Sequence, residues 1–297
     1  MYSDEVVPGN QLKHMNKRNQ QVVHWSIKQF GAGVLCNENN WFVMVVLRST
    51  IVREMDGGMS KLFGLLLKEF FNSATHHLRT GGMSLRLCTS DNIFVLFMRN
   101  GIKVADELAL KSVWLCKGAS GTKMCMCCMN VVAIASDLPA LDMAFVPASE
   151  PDPSKFRLHT DATVKEIVQR LARDHNRLSA TDFEALEKTL GWTHSTGNVL
   201  LDRDLELEVM PISQTMFDWM HCLVVNGTMN LELGLLMTRL GKHRLDGVKI
   251  DYSHLHAYMQ GWTWPARVGN DARDIFNAKR ARSSKAAGTW KASASEA

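Results

Sequence analysis

WFVMVVLRSTIVREMDGGMSKLFGLLLKEFF, residues 41–71, changes period part-way along. Its opening WFVMVVLRS is aromatic and β-branched and predicts a strand. After Gly57-Gly58, Leu62, Phe63, Leu66, Leu67, Phe70 and Phe71 recur at intervals of three and four, which predicts a helix with one buried face. Upstream, QVVHWSI at 21–27 predicts a second strand, separated from the first by the breakers Gly31, Gly33 and Asn37–Asn40. Downstream, SLRLCTS at 84–90 and NIFVLFM at 92–98 predict a hairpin or two neighbouring strands, and a further helix is expected from Ala105 to Trp114. Strands and helices alternating in this way predict a mixed α/β core over 1–115.

From Cys116 the texture changes. A Gly/Ser/Lys turn, a cysteine cluster and the breaker PASEPDP at 147–153 precede two expected helices, about 162–175 and 181–190. Ser179, Thr181 and Asp182 supply capping residues ahead of FEALEKTL. This makes 116–214 a distinct, largely helical stretch. A long helix is expected from Thr215 to about Arg239 within a C-terminal segment 215–275, and the low-complexity stretch 276–297 is expected to be a disordered basic tail.

The 297 residues are 46% hydrophobic and 22% charged, which excludes a disordered or collagen-like chain. FVMVVL at 42–47 and FGLLL at 63–67 are too short to span a bilayer, so no membrane partner is expected. MYSDEVVPGN lacks the basic and apolar regions of a secretory signal, and the seven cysteines therefore read as thiols. The formal charge of +4 is local. Lys279, Arg280, Arg282, Lys285 and Lys291 against Glu296 supply all of it, leaving 29 basic and 29 acidic residues in 1–275.

Cys125-x-x-Cys128 is the strongest local signal, because two thiolates at this spacing can share a tetrahedral zinc. It is half a site. Further ligands must come from histidines such as His159, His194 or His221, and the plainer reading is small buried thiols under a loop. KGASGTK at 117–123 lacks the glycine spacing of a phosphate loop. On one continuous helix His221 and Glu232 would differ in direction by only about 20°, with Asp218 on the same side. Taken singly, Asp106 reads as a helix N-cap and Asp4 as a solvated residue near the chain start.

In order, YSDEVVPGN at 2–10, KVADELALKSVWLCKGASGTKMCMCC at 103–128 and MFDWMHCLVVNGTMNLELGLLM at 216–237 resemble the DDE transposases of the CACTA (En/Spm-like) group, especially their divergent dinoflagellate versions. The resemblance implies an RNase H-like mixed sheet core interrupted by a zinc-braced insertion. It implies Asp4 on the first strand, Asp106 just after a later strand and Glu232 on the closing helix as the carboxylates that hold catalytic Mg²⁺ for DNA cleavage and strand transfer. It further implies Cys125, Cys128 and His221 as ligands of a structural Zn²⁺, with His159 or Asp218 as a weaker fourth. With only Met1-Tyr2-Ser3 ahead of Asp4, it implies a chain truncated at its 5′ end, active or decayed. DNA is the expected partner, self-association stays open, and a nuclear location follows from the DNA role and the Lys279-Arg280-x-Arg282 cluster. The competing expectation is a non-enzymatic, zinc-braced nucleic-acid-binding or interaction protein of transposon origin.

Overall fold

The computed structural model describes residues 1–6, 19–72, 77–86, 92–224, 227–240, 244–245, 248–249 and 252–262. Its chain contacts divide into two units, Met1–Met216 and Phe217–Ala297. The tail expected over 276–297 lies outside the described residues.

In the first unit, β1 (Tyr2–Val6) and β2 (Gln20–Trp25) pair antiparallel, with Asp4 opposite Val22. A short helix, α1 (Ala32–Leu35), lies in the connection to β3 (Phe42–Arg48), which pairs antiparallel with β2. The two stretches expected as strands are strands and pair with each other, and Trp25 meets Phe42 across the ladder with ring centroids 5.1 Å apart. A register shift between Val23 and His24 leaves Met44 as an extra residue on β3. Next come α2 (Ser49–Glu54), α3 (Met59–Phe71) and the antiparallel pair β4 (Met83–Arg86) and β5 (Ile93–Leu96).

β6 (Lys103–Ala105) returns to the sheet beside β1 and parallel to it, with Tyr2 paired to Val104, and leads into α4 (Glu107–Trp114). The stretch from 116 to 214 then contains β7 (Val131–Val132), α5 (Leu138–Leu141) and β8 (Val146–Pro147), the two strands pairing parallel, followed by α6 (Asp161–Asp174) and α7 (Ala180–Leu190). β9 (Thr215–Phe217) completes a five-stranded mixed sheet of order β3-β2-β1-β6-β9, which places β1 at its centre.

Helices α3 and α4 cover one face of that sheet. Leu62, Phe63, Leu67 and Phe71 of α3 are buried, as their spacing predicts, and Phe63 meets Trp114 of α4 edge-on at 5.8 Å. Beneath them lies an unexpected charge: Lys103 is 2% exposed, donates to Ser3 Oγ at 3.1 Å and sits 4.5 Å from the Phe63 ring centroid. Polar contacts strap the segment 195–208 to α3 and its flanks. Val199 N donates to Ser60 Oγ at 3.0 Å, Lys68 pairs with Asp202 and Asp204, and Arg79 pairs with Glu208 at 2.8 Å.

The second unit contains α8 (Trp219–Leu223), α9 (Thr228–Leu240), the short pair β10 (Arg244–Leu245) and β11 (Val248–Lys249), and α10 (Tyr252–Gln260). The single helix expected from Thr215 to Arg239 is therefore corrected to a strand and two helices. Thr215–Phe217 favour the sheet, Asp218 caps a new helix by accepting Met220 N–H at 2.9 Å, and Asn226-Gly227 is a poor helix former. Among the described residues, no helix is long and apolar enough to cross a membrane.

Candidate active site and thiol cluster

Asp4 is the middle residue of β1, and Asp106 immediately follows β6 with its backbone still extended, at φ −67° and ψ 171°. The parallel register pairs Tyr2 with Val104; Asp4 lies two residues further along β1, and Asp106 lies two residues beyond Val104, just past the end of β6. Strand alternation puts Tyr2, Asp4, Val104 and Asp106 on one face and Ser3, Lys103 and Ala105 on the other. The Lys103–Ser3 hydrogen bond on the helix-covered side agrees with this assignment.

Both acids are half-buried. Asp4 Oδ1 accepts the Glu5 N–H at 2.7 Å, and the Tyr2 hydroxyl stands 3.5 Å from Oδ2. Asp106 Oδ1 accepts Ala109 N–H at 2.7 Å and caps α4. Two like charges side by side on adjacent strands repel, and a bound cation removes that cost. The donor set is hard oxygen, which fits Mg²⁺ better than a soft metal. Glu232 belongs to the second unit, where it is exposed in the second turn of α9.

The predicted zinc ligands divide between the units. In the second, His221 Nδ1 lies 2.9 Å from Asp218 Oδ2. In the first, Cys125 Sγ accepts Cys128 N–H at 3.2 Å. Cys128 pairs in a β-bridge with Leu158, and His159 N donates to the Cys127 carbonyl at 2.8 Å. His159, the weaker ligand on sequence grounds, is thus the histidine that the backbone holds against the cysteines. It is buried, and burial with the nearby Lys123 charge pushes its pKa down to about 4, keeping the imidazole neutral. Its Nδ1 is 3.1 Å from Thr163 Oγ1.

Burial pushes the Cys127 thiol up to about 11 and the Cys128 thiol up to about 12, with the neighbouring Cys125 adding to both. Among the described residues, no three His, Cys, Asp or Glu side chains already form a group able to hold a metal. One buried group escaped the sequence reading: nothing in KVADE singles out Lys103.

Neither a family model, nor a curated protein, nor a solved structure matches the chain.

Proposed function

We propose that the chain is a transposase-derived core of RNase H-like architecture, acting in divalent-metal-dependent DNA cleavage and strand transfer. The observation that carries this reading is the parallel pairing of Tyr2 with Val104, which sets β1, the central strand that holds Asp4, beside β6, which Asp106 directly follows. Asp4 would hold one side of the metal site from the middle of β1. Asp106 would hold the other from the mouth of α4, which it caps. Mg²⁺, when bound, activates a water or 3′-hydroxyl and steadies the leaving oxygen. Glu232 is the third acid that this reading calls for, and DNA is its partner. Cys125, Cys128, His159 and His221 are the candidate holders of a structural Zn²⁺.

The test uses the capping role of Asp106. Asn caps a helix about as well as Asp, so Asp106→Asn should fold normally while removing a metal-binding charge. With Mn²⁺ or Mg²⁺ and supercoiled plasmid, the purified chain is expected to nick DNA. Asp4→Asn, Asp106→Asn and Glu232→Gln should each lower the rate by about 100-fold or more at unchanged melting temperature. Nicking that survives both Asp→Asn changes would end the catalytic claim. The reading of a non-enzymatic nucleic-acid-binding protein draws support from the same cap, since capping alone explains an Asp at 106. That reading expects DNA binding without nicking.

A further inference from the structure

Helix α3 and the strap 195–208 enclose a hollow of about 330 Å³ within the first unit, the size of a small-ligand site. Lys61, Gly64, Leu65 and Lys68 form the helix side, and the strap from Thr196 to Asp204 forms the other. The strap is firmly held. Val199 N–H donates to Ser60 Oγ at 3.0 Å, and Gly197 packs so closely on the Asp56 carbonyl that a Cβ would collide with it. The hollow is therefore organised before any ligand enters it.

One donor in its lining has nothing to bond. Asn198 is 3% exposed, and its Oδ1 accepts the Leu200 N–H at 2.9 Å, which fixes the other end of the amide as the Nδ2 donor. That Nδ2 is buried and has no hydrogen-bond partner among the described residues. An unpaired buried donor is costly, and a ligand that supplies an acceptor removes the cost. The charges around it say which acceptor. Lys68 Nζ is held by Asp202 at 2.8 Å and by Asp204 at 3.0 Å, so the two carboxylates of the lining already have their cation. Lys61 and Arg203 also line the hollow, are exposed, and form no ion pair among the described residues. The lining as a whole carries a net charge of +1.

We propose that this hollow binds the phosphate group of a phosphate ester, with Asn198 Nδ2 as its buried donor and Lys61 and Arg203 as its charged lip. A tetrahedral phosphate offers oxygens to donors on several sides at once, and a guanidinium can take two of them in parallel. A carboxylate has only two oxygens to share among the three groups. Leu65 and Leu201 give the organic part of the ester an apolar wall. No part of the proposal uses Asp4, Asp106 or Glu232, so it stands whether or not the chain cuts DNA. A nucleic-acid strand and a free nucleotide both carry such a group, and the choice of probes separates them.

The experiment is calorimetric titration of the full chain with thymidine monophosphate and with hexathymidylate, each in competition with inorganic phosphate. Asn198→Asp keeps the acceptor for Leu200 N–H and puts a negative oxygen where the donor stood. It is expected to weaken binding at least about tenfold. Lys61→Gln and Arg203→Gln should each weaken it about threefold, while Lys28→Gln, the same charge change at an exposed lysine outside the hollow, leaves it as in the parent. Tighter binding of hexathymidylate than of the monophosphate assigns the site to a strand, and the reverse order assigns it to a free nucleotide; either upholds the proposal. Binding of neither ester overturns it. So does unchanged affinity in folded Asn198→Asp, even where Lys61→Gln weakens binding, because surface charge alone would then explain the result. If Asn198→Asp does not fold, the charge reversal Arg203→Glu at an exposed position decides against Lys28→Glu. A loss confined to Arg203→Glu supports the site, and an equal loss in both, or none, overturns it.

Discussion

Lys103 is a base enclosed by Phe63, Ser3 and the underside of the sheet, and burial pushes its pKa down to about 7. In the unfolded chain a lysine titrates near 10.4, so between pH 7 and pH 10 the unfolded state binds more protons than the folded one. Stability should therefore rise with pH across that window and be flat below it, where the full penalty applies. Lys103→Met fills similar volume without the charge. At pH 6 it is expected to raise the unfolding free energy by on the order of 3 to 4 kcal/mol, offset by about 1 kcal/mol for the unpaired Ser3 hydroxyl, and to flatten the pH dependence. Urea melts of both proteins at pH 6, 8 and 10 check this. A variant less stable at every pH would mean that the hydrogen bond and ring contact outweigh the buried charge. The sequence hid this residue for a physical reason: KVADE states an alternation without saying which side the helices cover, and a strand lysine is ordinarily exposed. Asp106 was more readable, because an Asp before ELALK is a cap whatever else it does.

At the scale of elements, the segments with strong periodicity were legible and their joints were not. The spacing of Leu62 to Phe71 marks α3, and Ser179 with Asp182 marks the start of α7, where Ser179 Oγ accepts Asp182 N–H at 3.2 Å. The stretch from Thr215 misled because its apolar residues suit a helix while its first three serve better as an edge strand. The end of α7 is another joint that composition alone does not settle. Gly191 adopts φ +81°, its carbonyl accepts Lys117 N–H at 2.9 Å, and a Cβ there would collide with the Lys123 carbonyl oxygen. It thus holds α7 against the turn carrying Cys116. Gly191→Ala is expected to cost about 2 to 3 kcal/mol, from the left-handed backbone and the collision together. Denaturant midpoints measure this, and an unchanged midpoint would show that the 117–123 turn yields without cost.

For the whole molecule, the sequence could announce α/β content but not the order of the strands. β1 and β6 are separated by about a hundred residues, and no local pattern states that Tyr2 will pair with Val104. That β1, which holds Asp4, runs beside β6, which Asp106 follows, is therefore a property of the fold and not of any local pattern. Charge is different, because it can be summed without a fold. Residues 1–275 are formally neutral, with the +4 excess confined to 276–297, so a DNA-binding core would owe little of its affinity to net charge. The five basic side chains of the tail can each displace a counterion, whatever the DNA sequence. A chain ending at residue 275 should therefore bind duplex DNA more weakly at low salt, with the slope of log K against log salt less steep by up to about 4. Its preference among DNA sequences, and the effect of Asp106→Asn on nicking, should stay as in the full chain. Fluorescence anisotropy between about 50 and 200 mM salt measures the slope. An unchanged slope would place the phosphate contacts in the neutral body and require a local basic surface there.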